Sequence, residues 1–487
     1  MLAVKPQTRL NDAKKYFKEH LSVGDYYAEG QTVAGQWFGK GAADLGLNGI
    51  TTSNEFTRLC DNLHPQTGEK LTLRQNTTRI GIGADGKEHE SANRRVFYDF
   101  TFSPAKSVSI AALAMADERI VEAHERAVRS ALREFETFTT TRVRVGGAHG
   151  DRSTGNFVAA LFTHDTSRAL DPHLHTHCVV FNATFDPVEK RWKALQNYEL
   201  LRARKYAENV YYHELSRQLR SFGYQIRNQV RGDFQIEGVS EGICERFSKR
   251  RTQIDEGLQK LLAEKPECAR GDLMAMRRLL ATEERTRKQK DLSRNELRAL
   301  WNSQLSEPER ASLRQLSNRS GKAIDRRIDI GEAVQWAEDH LFDRNSVVLE
   351  CQVWQHALEH ARGEGFSIAE LKDLTRRRPY IRNAEHPSEV TLRDVLLRET
   401  EIVRNVKDGA GNCRPLVDIP STVNSKLDDE QRHALDTLLG STNAVSLFRG
   451  GAGTGKSFVL RELVEQVRQK GRAVAVLAPQ RQQTERL

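Results

Sequence analysis

Four histidines crowd into residues 164–178: His164, His173, His175 and His177. Neutral imidazole is a common metal ligand, and three of them drawn from neighbouring strands make a donor set for one divalent cation. The flanking stretches 157–163 and 179–182 are apolar and β-prone, and residues 166–172 are turn formers. The pattern predicts two strands joined by a loop, with His164 leaving the first and His175 and His177 entering the second. Side chains alternate along a strand, so His175 and His177 share a face, and His164 lies across from them if the strands pair. His173 has the same parity but follows Pro172 and is expected to remain in the loop. A histidine-rich loop without a ligand is the plainer alternative. The third histidine on the preceding strand is what favours a metal. Imidazoles alone suit Zn, Mn or Ni, whereas phosphate chemistry suits Mg or Mn.

A second set of reactive groups lies upstream. Residues 95–103 read as a strand, with Val96, Tyr98, Phe100 and Phe102 on one face and Phe97, Asp99 and Thr101 on the other. A carboxylate in an aromatic strand needs a partner, because an unpaired buried charge is expensive. It could take the second N–H of a metal-binding histidine or the proton of an attacking phenol. On a one-sided sheet it would simply face water. Tyr16 lies in a predicted helix over 10–20, and Tyr26 and Tyr27 sit beside turn residues. Phenols attack phosphodiesters once positioned, although each of these alone reads as an ordinary half-buried aromatic. Trp37, Tyr206, Tyr211 and Tyr212 read as packing residues. Ser103-Pro104 suits a helix start, which puts Lys106 and Ser107 in a first turn whose free N–H groups favour a phosphate.

Near the end, Gly450-Gly-Ala-Gly-Thr-Gly-Lys456-Ser457 matches G-x-x-x-x-G-K-S. A strand is predicted over 444–448, a helix over 458–470 and another strand over 473–479. Backbone N–H groups of such a loop, including Gly450, Gly453 and Gly455, cradle phosphates. Lys456 would reach the β/γ-phosphates and Ser457 would hold Mg²⁺. Gln431, opening the preceding helix, could read an adenine edge. By contrast, Gly81-Ile-Gly-Ala-Asp-Gly86 fits the dinucleotide spacing but is followed by a strand, so it reads as a hairpin turn. Residues 458–487 supply no second acidic strand, water-positioning residue or arginine finger. A doubly wound ATPase core needs on the order of 100 residues or more. The chain reads as the front of a longer protein or as a split reading frame. ATP with Mg²⁺ is a candidate ligand of an incomplete site, and ATP hydrolysis is expected to be absent; measurable turnover would refute this.

These groups need scaffolds, and composition bounds them. The chain has 487 residues, 38% of them hydrophobic, enough for two to four domains. Its formal charge of +9 favours a polyanionic partner. No long apolar run or signal-peptide core is present, so membrane insertion is not expected and a cytoplasmic location is. The six cysteines lie far apart without a Cys-x-x-Cys, which excludes a zinc ribbon. Long helical patterns cover 116–138, 200–222 and 241–330. The last is basic, and either packs as a solvated face or grips a DNA backbone.

Taken together, Tyr16 with Asp25-Tyr26-Tyr27, Gly39-Lys-Gly41, Asp99 to Ser103 with Lys106 to Ser109, and the histidine hairpin resemble the MobF-type conjugative relaxase–helicases (the TrwC/TraI class). The resemblance is strong over about residues 1–300, and residues 331–487 resemble the start of the family's RecD-like helicase. It implies an α+β fold: an HUH endonuclease (relaxase) domain with a central antiparallel sheet over 1–300, a mainly helical region over 301–420, and the beginning of a P-loop RecA/RecD-like α/β domain over 421–487. It further implies that His164, His175 and His177 bind one divalent metal, Mg or Mn, that polarises a scissile phosphate, while Asp99 orients a ligand histidine and assists the tyrosine. Tyr16 would attack first, leaving a 5′-phosphotyrosine and a free 3′-OH, and Tyr26, next to Tyr27, would serve strand transfer at termination. Phe17 follows Tyr16 where family members often carry a tyrosine pair, so which tyrosine initiates stays open. Lys106 and Arg168 would contact DNA. The implied partners are single-stranded and hairpin DNA at a plasmid origin of transfer, accessory relaxosome proteins and a type IV secretion coupling protein. The alternatives are a rolling-circle replication initiator, a single-stranded DNA binder that does not cleave, and a metal-dependent oxygenase.

Overall fold

The computed structural model describes residues 1–8, 10–16, 35–73, 78–82, 88–92, 95–167, 169–229, 232–264, 293–316, 327–417, 426–451 and 453–477, with 273, 276 and 280. The chain divides into two compact units, Met1–Asp343 with Val348–Arg378, and Arg344–Val347 with Pro379–Leu487.

The first unit is built on alternation. Its strands begin with β1 (Leu2–Gln7), β2 (Gln36–Phe38), the hairpin β3 (Thr78–Ile82) and β4 (Glu88–Ala92), and β5 (Phe97–Phe102). They continue with the hairpin β6 (Thr140–Val145) and β7 (Ala148–Ser153), then β8 (Ala159–Thr166) and β9 (Pro172–Phe181). Five of these form one antiparallel sheet in the order β1-β5-β9-β8-β2. The pairing of β3 with β4 agrees with reading Gly81 as part of a hairpin, although residues 83–87 of the turn lie outside the described residues.

Both faces of the sheet are covered, which is why β5 is buried along nearly its whole length. On one face lie Phe97, Val179, Phe181, Ala160 and Phe162, packed with Trp37 and with Phe56 and Leu59 of α3 (Ser53–Cys60), the third helix after α1 (Leu10–Tyr16) and α2 (Lys40–Asp44). On the other face, beyond the short helix α4 (Lys106–Ser109), lie α5 (Glu118–Glu136) and α6 (Tyr198–Ser221). Phe100 meets Phe135 of α5 edge-on at 5.0 Å, and Phe102 meets Tyr211 of α6 at 5.3 Å. The apolar stripe of α5 (Ile120, Ala123, Ala127, Ala131, Phe135) is buried as its 3.6-residue period predicts.

One polar group crosses this apolar layer. His124 of α5 is fully buried, with Nδ1 at 2.8 Å from the Tyr211 hydroxyl and Nε2 at 2.8 Å from Thr176 Oγ1. Thr176 lies between His175 and His177 and therefore points to the opposite face. It also meets Thr163 Oγ1 at 3.0 Å, so the pair β8–β9 is pinned from behind.

The second unit has its own small core of Val417, Leu427, Leu435, Leu439, Val459 and Val467. It lies between the helices Asp429–Leu439 and Lys456–Gln469. Among the described residues of both units, no helix is long and apolar enough to cross a membrane.

Three local expectations are corrected. β9 starts at Pro172, so His173 belongs to the strand rather than the loop; proline is tolerated at the first residue of a strand. The helix expected at Ser103-Pro104 starts at Lys106 after Ala105, so its boundary falls two residues later. Residues 444–448 and 473–477 are not strands, because neither forms a ladder among the described residues, and Leu447 is 94% exposed.

Burial pushes His124 down from its ordinary 6.5 to about 3. It is therefore neutral in the fold but protonated in the unfolded chain at mildly acidic pH. Its contribution is full above pH 6.5 and is lost as pH falls toward 3, amounting to roughly 2 kcal/mol at pH 5. Thermal melts at pH 7 and pH 5 should show a smaller loss for His124→Gln than for the native chain. Equal losses would contradict the assignment.

Candidate functional site

The register of three strands assembles the site. Thr101 of β5 lies opposite His177 of β9, which lies opposite Phe162 of β8; His175 lies opposite His164. Asp99, two residues before Thr101, shares its face and is the diagonal neighbour of His177, within reach of a side chain. The pair closes: His177 Nδ1 is 2.9 Å from Asp99 Oδ2 and 3.1 Å from Oδ1. Thr101 Oγ1 sits 3.1 Å from the same nitrogen and donates to Asp99 Oδ1 at 3.4 Å. Asp99 is 3% exposed, so this carboxylate is not the solvent-facing group of a one-sided sheet. A carboxylate oxygen accepts, so His177 Nδ1 donates in this pair, and a neutral ring then has its lone pair on Nε2.

His175 follows the same rule by a different route. Its Nδ1 donates to the His173 carbonyl at 2.9 Å, which again leaves Nε2 as the acceptor. Burial, then the neighbouring His177, lowers its pKa to about 3. Burial also holds His173 well below the ordinary value. Both imidazoles are thus neutral, the form that binds metals.

The ring centres of His164, His175 and His177 are 5.3, 5.5 and 5.1 Å apart. Three imidazoles bound tetrahedrally at about 2.1 Å would hold their centres roughly 5 Å apart, so spacing and donor chemistry fit a cation. The rings of His164 and His175 are stacked, with their planes 29° from parallel. Among the described residues, no group of three or more His, Cys, Asp or Glu side chains stands in an arrangement that could hold a metal ion.

The other candidates fall in several places. Tyr16 closes α1, but its side chain, together with Tyr26, Tyr27 and Arg168, lies outside the described residues. Lys106 donates to the Pro172 carbonyl at 3.0 Å and supports the hairpin loop. Ser107 Oγ donates to Gln235 and accepts from the Ile236 N–H. In the second unit, Gly453 and Gly455 have φ of 80° and 77°, the left-handed turns that a phosphate loop requires. Lys456 Nζ donates to the carbonyls of Gly450 and Gly451, and Ser457 follows in the first turn of its helix. Gln431 Nε2 reaches the Thr454 carbonyl at 3.3 Å, while its Oε1 accepts from the Asp428 N–H in a capping box. The sequence reading did not single out Thr101 as a partner of the site, although its parity with Asp99 was legible. It missed His124 altogether, for nothing local marks a helix histidine as a partner of a strand far away.

A family model described as TrwC relaxase matches residues 10–308, and one described as an AAA domain matches residues 426–487. Multifunctional conjugation protein TraI of Escherichia coli is 35% identical over 254 residues, 49% of this chain and 13% of that protein. The TraI of strain K12 is 35% identical over 256 residues, with the same coverage. The chain therefore spans only 13% of the length of these relatives. Among solved structures, conjugative relaxase TrwC with oriT DNA superposes in a metal-free form (TM-score 0.51, 31% identity) and a metal-bound form (0.52, 32%). A complex of TrwC with a 27-mer DNA comprising the recognition hairpin and the cleavage site also superposes (0.50, 30%). Each covers 62% of this chain and 97% of the other.

Long-range ¹H–¹⁵N spectra should show His175 and His177 in the Nδ1–H tautomer. Asp99→Ala should abolish that preference at His177 and leave it at His175. An Nε2–H tautomer at His177 in the native chain would overturn the assignment.

Proposed function

The chain belongs to the TrwC relaxase family, and on that footing we propose that it is a cytoplasmic conjugative relaxase that nicks one strand of plasmid DNA at an origin of transfer. The observation that carries this reading is the Asp99–His177 bond, with His164 and His175 beside it on one face of β5, β9 and β8.

His164, His175 and His177 would hold a divalent cation, magnesium or manganese, which when bound would polarise the scissile phosphate and stabilise the charge on its oxygens. Asp99 keeps the proton of His177 on Nδ1 and so keeps Nε2 available as a ligand. The Tyr16 phenol forms a bond to phosphorus as the bond to the 3′ oxygen breaks. The phenolic proton is lost and the leaving oxygen gains one, giving a 5′-phosphotyrosine and a free 3′-OH. Bond energy is retained in the link, so Tyr26 or Tyr27 can take part in later strand transfer without ATP. Lys106 and Arg168 belong to the DNA side of this reading. The single-stranded and hairpin DNA of the origin is the substrate, and relaxosome accessory proteins and a secretion coupling protein are the expected partners.

The loop over 450–457 is proposed to take the phosphates of ATP with Mg²⁺ at the N-terminus of the helix Lys456–Gln469. Gln431 stands next to that loop.

Single-stranded oligonucleotides tiled across candidate origins, incubated with Mn²⁺ or Mg²⁺, should yield a covalent protein–DNA adduct on a denaturing gel. The adduct should vanish with EDTA, with His175→Ala, and with the combined Tyr16→Phe, Tyr26→Phe and Tyr27→Phe replacement. Its absence across all origins, or its survival in the triple variant, would count against the proposal.

A further inference from the structure

The loop between the histidine-bearing strands is held by residues far away in sequence. Leu170, at its tip, has φ +58°, a left-handed conformation that a leucine keeps only when its surroundings impose it. Its N–H donates to the Ser167 carbonyl at 3.0 Å, and its carbonyl accepts from the indole N–H of Trp301 at 2.7 Å. Trp301, on the helix Arg294–Ser303, is 1% exposed. The next residue, Asp171, is buried to the same extent. Its carboxylate accepts from the backbone N–H of Lys249 at 3.0 Å and lies 3.6 Å from the Lys249 ammonium. That amide begins the helix Lys249–Glu264, so Asp171 serves as a helix-terminal anion supplied from another part of the chain. On the other side of the loop, Arg294 Nε lies 3.5 Å from the buried carboxylate of Asp165, the residue after His164.

These contacts bear on the metal-site candidates. His164, opposite His175, ends the regular ladder of β8 against β9, and the register shifts between it and Thr166, so the loop begins directly beside this pair. A metal site tolerates errors of only about half an ångström in its ligands. Ser167 accepts from the Ala169 and Asp171 N–H groups within the loop, and Lys106 holds Pro172; Trp301 and Lys249 add anchors from the later helices.

We propose that Trp301 and the Asp171–Lys249 pair are positioning residues that latch the loop and set the distance of His164 from His175. The helices after residue 241 thereby tune how tightly the three histidines take their cation. The proposal rests on the reading of His164, His175 and His177 as ligands.

The test uses the full chain with Mn²⁺ alone as probe. Binding is measured by electron paramagnetic resonance, and DNA affinity is measured separately in EDTA. Trp301→Phe keeps an aromatic ring and removes the indole N–H; Asp171→Asn removes the charge. Arg246→Ala, which breaks a surface pair with Glu309 in the same helical segment, is the control. The latch predicts Mn²⁺ affinity at least 10-fold weaker in the first two variants, as outer ligand partners give elsewhere. It predicts DNA affinity within twofold of native, and no change in Arg246→Ala. Should Trp301→Phe fail to fold by circular dichroism, Asp171→Asn and Lys249→Met carry the same comparison. Native-like Mn²⁺ affinity in the folded variants would overturn the latch while leaving nicking intact. A fall in DNA affinity alone would mean that these residues serve the DNA grip instead. A native chain that binds no Mn²⁺ and forms no adduct would remove the underlying reading, and the latch with it.

Discussion

The site depends on register. Asp99 meets His177 only because Thr101 lies opposite His177 and side chains alternate. A slip of one residue in β5 against β9 would put the carboxylate and the imidazole on opposite faces, one in the aromatic layer against α5 and α6. What resists the slip is burial on both sides. Phe97 and Phe181 pack with Phe56 on one face, and Phe100 and Phe102 with Phe135 and Tyr211 on the other. The polar site lies within this otherwise apolar sandwich, with Asp99, His164 and His175 buried.

The electrostatics follow from that placement. A buried imidazole resists protonation because its charged form loses its hydration. His175 and His124 are therefore neutral for the same reason but serve different ends. His175 keeps a lone pair on Nε2, whereas both nitrogens of His124 are engaged, with Tyr211 and Thr176. Asp99 is the carboxylate seen to bond His177, and it acts through a hydrogen bond to the ring rather than as a member of the histidine triplet.

Local signals carried much of this into the sequence. The histidine hairpin, the parity of Asp99, the stripe of α5 and the glycines near Lys456 are all patterns within a few residues, and the fold keeps them. Pro172 misleads because proline punctuates turns more often than it starts strands, so composition keeps His173 in the loop while the fold puts it in β9. The unpaired stretches around Leu447 and Val474 had strand composition, but a strand also needs a hydrogen-bonding neighbour. The links from His124 to Thr176, Trp301 to Leu170 and Lys249 to Asp171 join residues dozens to more than a hundred positions apart. Only the closed fold brings such groups together, so no periodicity announces them.

In the glycine-rich loop of the second unit, the Lys456 ammonium donates to the carbonyls of Gly450 and Gly451. On the proposed function, a bound nucleotide would take that ammonium by exchange. Neutral carbonyls are weak competitors for a cation, and a polyphosphate is a strong one. Discrimination in favour of the triphosphate over a bare nucleoside would thus arise from a swap of partners, before the shape of any base is consulted.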